Sequence, residues 1–599
     1  MPHRILHDTF GYTAFRPGQE DIVRTLMAGQ HVLAVMPTGS GKSLCFQVPA
    51  LARGGLAIVV SPLVALMQDQ VAALKLAGVK AETINSSLSR DDNVAIWQRV
   101  AAGDVSLLYL APERLMTERM VAALQKLPVT LIAIDEAHCI SQWGASFRPE
   151  YDALQGLRAV FPGVPIGAFT ATADAATQAD ITAKLFAGKA HVHIAGFDRP
   201  NIRLTVEPKD NAKKQLLAFL ENRKGQSGIV YALSRKSTEE WARELNSNGY
   251  RALAYHAGLS ADQRASNQDV FMTEDGVIVC ATIAFGMGID KPDVRFVFHA
   301  DLPATMDAYY QEIGRAGRDG EPADAHMVFG AGDIQLRRKF IQAEDAGEDR
   351  RRRELKRLDA LVGYCEAVAC RRQILLAYFG ETAGPCGNCD ACLDPAATVD
   401  GVADALLVLA AVQQTGSRFG SAHLTDVLRG DLTEKVASAS HQHSDGFGAG
   451  KHVPRMQWMS IIRAMTGAGL VQLDAGGHGG LQIGAKGRAL LHGDGAFRYR
   501  LTSAKARRAK VSQAAVLNAD VSDELLQRLK KLRFTLAKAR RVPAYVIFSD
   551  RTLLDMAAKR PVTKWDFGEV HGVGQAKLEQ FAAVFLAEIG AYLRSAKAA

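Results

Sequence analysis

The run His31-Val-Leu-Ala-Val35 followed by Met36-Pro-Thr-Gly-Ser-Gly-Lys-Ser43 constrains the fold more than any other stretch of the chain. An apolar strand breaks into a loop with glycines at 39 and 41, and a helix opens near Leu44. That unit turns backbone N–H groups inward at a helix N-terminus, where anions are favoured. Thr38, Gly39, Ser40 and Gly41 would form the cradle, Lys42 would reach the outer phosphates of a nucleotide, and the Ser43 hydroxyl would ligate Mg²⁺. The strict Gly-x4-Gly-Lys-Ser pattern fails at its first position, Met36, so the loop needs support from elsewhere.

Support comes from Ile134-Asp-Glu-Ala-His138, which closes the apolar run Leu131–Ile134. Carboxylates at the C-terminal end of a buried strand sit beside such a loop. Asp135 would hold Mg²⁺ and Glu136 would polarise an attacking water. An acidic pair that merely opens a helix accounts for Asp-Glu but not for the Ala-His after it.

Apolar runs alternate with helical stretches through the first 330 residues. Leu56–Val60, Val105–Leu110, Leu131–Ile134 and Ile166–Phe169 form one set of expected strands; Gly228–Tyr231, Val277–Cys280 and Val294–Phe298 form a second. Strands spaced by helices give two parallel α/β sheets, one per set, with the polar segment Phe197–Lys214 as the expected join. The chain has 599 residues, enough for roughly four domains at about 150 residues each. No apolar run approaches the roughly 18 residues of a membrane span, and no secretory leader is visible, so a cytosolic protein with no membrane partner is expected.

The net charge of +8 is local. Between Leu501 and Arg541 there are eleven Lys/Arg against three Asp/Glu, and the rest of the chain sums to zero. A basic stretch on a neutral body fits a polyanion such as nucleic acid, and equally a solvated charged face. Five of the eight cysteines crowd into Cys365–Cys392. Within them Cys370, Cys386, Cys389 and Cys392 have the spacing of one closed, structural zinc site. Cys365 is the spare.

Further motifs make the chain similar to superfamily-2 helicases. Phe15-Arg-Pro-Gly-Gln19, preceded by Tyr12, resembles the adenine-reading segment. The resemblance implies that Tyr12 and Arg16 stack on the base and Gln19 hydrogen-bonds its edge. Ser61–Gln70 resembles a strand-binding motif, and Phe169-Thr-Ala-Thr-Ala173 a motif linking hydrolysis to domain closure. Tyr310-Gln-Glu-Ile-Gly-Arg-Ala-Gly-Arg-Asp319 resembles the motif in which an arginine crosses the cleft to the γ-phosphate, which implies roles for Gln311, Arg315 and Arg318.

Within that superfamily the sequence resembles the RecQ family of DNA helicases, through Asp-Glu-Ala-His-Cys-Ile-Ser-Gln-Trp-Gly144, Phe285-Gly-Met-Gly-Ile-Asp-Lys-Pro-Asp-Val-Arg295 and the cysteine cluster. The resemblance implies two RecA-like lobes (1–197 and 198–335), a zinc-binding subdomain (336–396), a winged-helix domain (397–497), a basic linker (498–518) and a helical C-terminal domain (519–599). It implies ATP-driven 3′→5′ movement on single-stranded DNA and unwinding of forked duplexes. Single-stranded-DNA-binding protein is an implied partner, and a nucleoid-associated location follows. Trp143, Phe147 and Arg148 in the aromatic-rich loop, and Tyr545, would meet single strands; Pro543 and Tyr545 are nearly as compatible with shaping a loop.

One departure is chemical. The family usually has His-Asp where this chain has Ala145-Ser146, which removes the polar groups expected to relay DNA binding to the ATPase site. A second reading follows: an ATP-controlled DNA-binding or remodelling protein that unwinds weakly. An RNA helicase is a further reading, opposed by the zinc cluster and the C-terminal domain.

Overall fold

The computed structural model describes residues 1–141, 148–173, 175–283, 285, 291–343, 347–395, 398–473, 480–500, 523–540 and 542–598. The first lobe is a seven-stranded parallel sheet. Its strands are β1 (Val32–Val35), β2 (Leu56–Val60), β3 (Ala81–Ile84), β4 (Leu107–Leu110), β5 (Val129–Ile134), β6 (Ile166–Thr170) and β7 (His191–Ile194), in the order β3-β4-β2-β5-β6-β1-β7. Helices cover both faces, so the inner strands are buried along their length and read as continuous apolar runs. β1 therefore lies between β6 and the edge strand β7.

The second lobe holds six parallel strands: β8 (Ile202–Pro208), β9 (Gly228–Tyr231), β10 (Arg251–Tyr255), β11 (Val277–Ala281), β12 (Phe296–His299) and β13 (Ala323–Phe329), in the order β10-β11-β9-β12-β13-β8. Here the expected join at Phe197–Lys214 is corrected. Residues Ile202–Pro208 form edge strand β8, in which Ile202, Leu204 and Val206 are buried between polar neighbours. A period of two over a polar segment is the mark of a half-covered edge, and the connector shrinks to the residues just before it.

Four other strands escape the apolar-run criterion for physical reasons; among them the inner strand β13 is interrupted by Asp324, which Arg203 and Arg223 pair, and by His326. β3 carries Glu82, buried because Lys75 and Arg99 both pair with it. β7 is an exposed edge rich in histidine, and β10 is only half covered.

The helices Ala331–Ala343, Glu348–Glu366 and Arg371–Tyr378 lead into the cysteine cluster; the first of them runs through the 335/336 boundary. Helices Val402–Gln414, Ser421–Arg429 and Arg455–Ala468 pack around Trp458 with the hairpin Val471–Leu473/Leu481–Ile483, a winged-helix arrangement. A further correction falls at its end. Arg498–Arg500, placed in the basic linker by sequence, pairs antiparallel with Thr398–Asp400. Phe497 and Tyr499 are buried in this domain's core, and Tyr499 donates to Asp404 at 2.7 Å.

The C-terminal domain is all helical: Asp523–Arg540, Ala544–Ile547, Asp550–Lys559, Lys564–Gly568 and Gln575–Ala598 surround Phe548, Phe567, Phe581 and Phe585. No helix among the described residues is long and apolar enough to cross a membrane.

Candidate active site

β1 delivers its C-terminal end to the phosphate loop. Gly39 (φ 82°) and Gly41 (φ 84°) both take left-handed backbone, which side chains resist. The Met36 N–H donates to the Thr170 carbonyl at 2.9 Å, tying the loop to β6. Lys42 donates to the Met36 and Pro37 carbonyls at 3.1 and 3.4 Å. Ser43 stands at the start of the helix Leu44–Arg53.

The adenine-reading residues meet this loop directly. Arg16 donates to the Gly39 carbonyl. The Gln19 amide, expected on the base edge, donates to the Ser40 and Gly41 carbonyls at 2.9 and 3.1 Å, and its oxygen accepts from the Arg16 N–H at 2.8 Å. Gln19 is buried, so its amide must find partners nearby, and the loop carbonyls lie within reach.

At the end of β5, Asp135 and Glu136 share a tight turn. Glu136 has φ 50°, an unusual left-handed conformation for a residue with a side chain, and its N–H donates to the Asp135 carboxylate at 3.0 Å. Burial pushes Asp135 up to about 7; the Glu136 carboxylate adds to that rise and Lys42 opposes it. His138 lies 3.4 Å from Glu136 and 2.9 Å from the Thr170 hydroxyl, and Thr170 donates to the Thr172 carbonyl at 3.0 Å. From the second lobe, Gln311 donates to the Thr172 hydroxyl at 3.0 Å. A hydrogen-bonded chain thus runs from His138 through Thr170 and Thr172 to Gln311, with the Glu136 carboxylate beside His138 but not hydrogen-bonded to it.

Arg315 and Arg318 come from the turn after the helix Met306–Ile313. Arg315 is buried. Arg318 faces the loop so closely that a side chain on Gly39 would meet its Cγ at 3.5 Å. One residue near them escaped sequence reading: Arg199, in the connector, donates to the Thr38 carbonyl at 2.7 Å. An isolated arginine before a proline carries no local signal.

The expected DNA-contacting groups divide. Trp143 and Phe147, with Ala145 and Ser146, lie outside the described residues. Arg148 donates towards the Pro62 carbonyl at 3.5 Å, within the strand-binding motif. Tyr545, read both as a strand contact and as a residue that shapes a loop, is half-buried and packs against the hydrophobic core of the lobes, while its helix lies against Val64–Leu76. Leu76 in turn joins the C-terminal domain's core. That domain also reaches the adenine-reading segment, where the Gly572 N–H donates to the Gly11 carbonyl at 2.9 Å.

The sulfurs of Cys370, Cys386, Cys389 and Cys392 lie within 4.8 Å of one another, with Cys370 and Cys389 at 3.9 Å. Tetrahedral zinc with bonds of about 2.3 Å separates its thiolates by roughly 3.8 Å, so the four fit one closed site. Cys365 is buried beside them and stays outside the cluster.

Comparison with known proteins decides the family. The chain is 41% identical over 584 residues to the ATP-dependent DNA helicase RecQ of Pasteurella multocida, covering 97% of this chain and 92% of that protein. The chain belongs to the RecQ family of ATP-dependent DNA helicases. The RecQ of Haemophilus influenzae is 41% identical over 98% of this chain and 95% of its own length; that of Bacillus subtilis is 36% identical over 99% and 100%. Residues 16–181 match the DEAD/DEAH box helicase family and 210–320 the helicase conserved C-terminal domain. RecQ zinc-binding matches 331–393, the RQC domain 395–509 and the HRDC domain 522–589. Zinc and ATP are the ligands that this RecQ architecture takes, and near full-length RecQ relatives favour the motor over the ATP-controlled binding protein.

Proposed function

We propose that this RecQ protein hydrolyses ATP in the cleft between its lobes and uses the resulting closure to move 3′→5′ on single-stranded DNA and open forked duplexes, in the nucleoid-containing cytosol. The observation that carries the reading is the hydrogen-bonded chain from His138, two residues after Glu136, to Gln311, which joins the turn at the end of β5 to the second lobe.

Tyr12 and Arg16 would hold the base, and Thr38 to Ser43 would hold the phosphates, with Lys42 turning from its loop carbonyls to the anion. Ser43 and Asp135 are placed to bind Mg²⁺, which supplies positive charge to the phosphate oxygens. Glu136 would take the proton of the attacking water. Arg315 and Arg318 would stabilise charge on the transferring phosphoryl group, so turnover depends on the lobes being closed. Single-stranded DNA would lie across the lobes near Arg148, Trp143 and Phe147, and the winged helix would grip duplex phosphates.

The test is steady-state ATP hydrolysis with Mg²⁺, with and without a 3′-tailed duplex, alongside strand separation. Strong DNA stimulation with unwinding of the 3′-tailed but not the 5′-tailed substrate supports the reading. Tight DNA binding without stimulation would instead restore the ATP-controlled binding protein.

A further inference from the structure

Arg199 lies in the short connector between the lobes, and that connector is fastened to the second lobe and the zinc subdomain. The Tyr310 hydroxyl donates to the Phe197 carbonyl at 2.9 Å, and Glu381 accepts from the Phe197 N–H at 2.6 Å. The Phe197 ring stacks on Phe379 at 4.5 Å, and Asp198 pairs with Arg372 at 3.3 Å. Arg199 therefore travels with the second lobe.

Its guanidinium nevertheless reaches into the first. One nitrogen donates to the Thr38 carbonyl of the phosphate loop at 2.7 Å and to Gly314 at 3.4 Å. The other donates to the Ala316 and Gly317 carbonyls at 3.0 and 2.8 Å. The last two carbonyls stand between Arg315 and Arg318. Among the described residues all its hydrogen-bond acceptors are carbonyls, and no carboxylate pairs with it. Burial, with repulsion from Arg318 and Arg16, draws it down to about 10, so it remains a cation. A planar fork can hold two backbones in fixed register; an ammonium on a flexible stem cannot.

We infer that Arg199 is a positioning residue for ATP hydrolysis: by joining the Thr38 carbonyl to the Ala316 and Gly317 carbonyls, it sets the register in which Arg315 and Arg318 face the phosphate loop. The inference rests on the ATPase reading above. Asn201 is the internal control, since it binds the Gly317 and Glu321 carbonyls at 2.9 Å each, entirely within the second lobe.

The experiment compares Arg199→Ala, Arg199→Lys and Asn201→Ala in the full chain, by DNA-stimulated kcat and KM for ATP and by the affinity for a fluorescent ADP. The expected result is a kcat lowered on the order of 10²-fold in Arg199→Ala, with ADP affinity retained. Arg199→Lys should stay close to the alanine variant, and Asn201→Ala close to the parent. Should Arg199→Ala fail to fold, the lysine variant carries the same comparison. Parent-like kcat in either Arg199 variant, or an equal loss in Asn201→Ala, overturns the inference. A parent protein without ATPase activity would overturn the underlying reading instead.

Discussion

The rings of Tyr12 and His571 lie 5.3 Å apart, tilted by 60°, so the adenine-reading segment and the C-terminal domain share one contact. Around it the packing is glycine-close: a side chain on Gly574 would meet the Thr9 carbonyl at 2.4 Å, and one on Gly11 would meet the Val573 backbone at the same distance. Helix Asp523–Arg540 also touches helix Ala261–Thr273 of the second lobe. The C-terminal domain therefore rests on both lobes.

Gly574→Ala should lift that domain from the first lobe without disturbing its own core. Small-angle scattering should show a larger radius of gyration, and amide exchange should rise at residues 9–12. An unchanged profile in both would mean that the contact contributes nothing to holding the domain.

The same contact is expected to weaken in acid. Burial lowers His571 from its ordinary 6.5, with Arg551, Arg16 and Lys559 lowering it further and Asp555 opposing. The docked state thus disfavours the proton, and docking present above about 6.5 should be lost as pH falls through the lowered value. His571→Phe should remove the dependence while keeping the ring. Scattering across a pH series checks both.

Glu136→Gln should lower DNA-stimulated kcat on the order of 10²- to 10⁴-fold, with nucleotide affinity retained, because only the proton acceptor is lost. Gln311→Ala should lower kcat less and reduce the ratio of stimulated to basal rate, because it cuts the polar chain at Thr172. Equal effects on basal and stimulated rates would argue against coupling through that chain.

Ala145→His with Ser146→Asp should raise DNA-stimulated turnover if those two positions are where the relay is missing. DNA affinity should move little. No change in stimulation would mean that this chain couples by another route.

Cys389→Ser should reduce zinc from one atom per chain to none by elemental analysis and lower the melting temperature. Apparent zinc binding of about 10 kcal/mol or more is lost when a four-thiolate site is broken. Phe197 rests on Phe379 and Glu381 of this subdomain, so ATPase activity should fall too. Full zinc content with an unchanged melting temperature in the variant would remove Cys389 from the ligand set.

What could be read without coordinates was what lies in contiguous residues. The phosphate loop depends on Gly39 and Gly41 taking left-handed backbone, the Asp-Glu-Ala-His turn on the end of one buried strand, and the zinc site on cysteines spaced for one ion. Each is a short-range geometry, and residue type with spacing states it fully. Most inner strands were legible for a similar reason, since burial on both faces favours unbroken apolar runs; β13 was not, because Asp324 and His326 interrupt it.

β3 and β8 were not, because Glu82 is acceptable inside only when Lys75 and Arg99 arrive from elsewhere, and β8 is covered on one side. Gln19 on the loop carbonyls, Tyr545 against the lobes, Arg199 on Thr38 and His571 against Tyr12 belong to the same class. By itself the sequence determined the family, the order of the domains and the chemical groups. Only the tertiary structure decided which of those groups face one another across the lobes, because partners far apart in the chain are chosen by burial and by hydrogen bonds that must be satisfied, and neither quantity exists until the chain has folded.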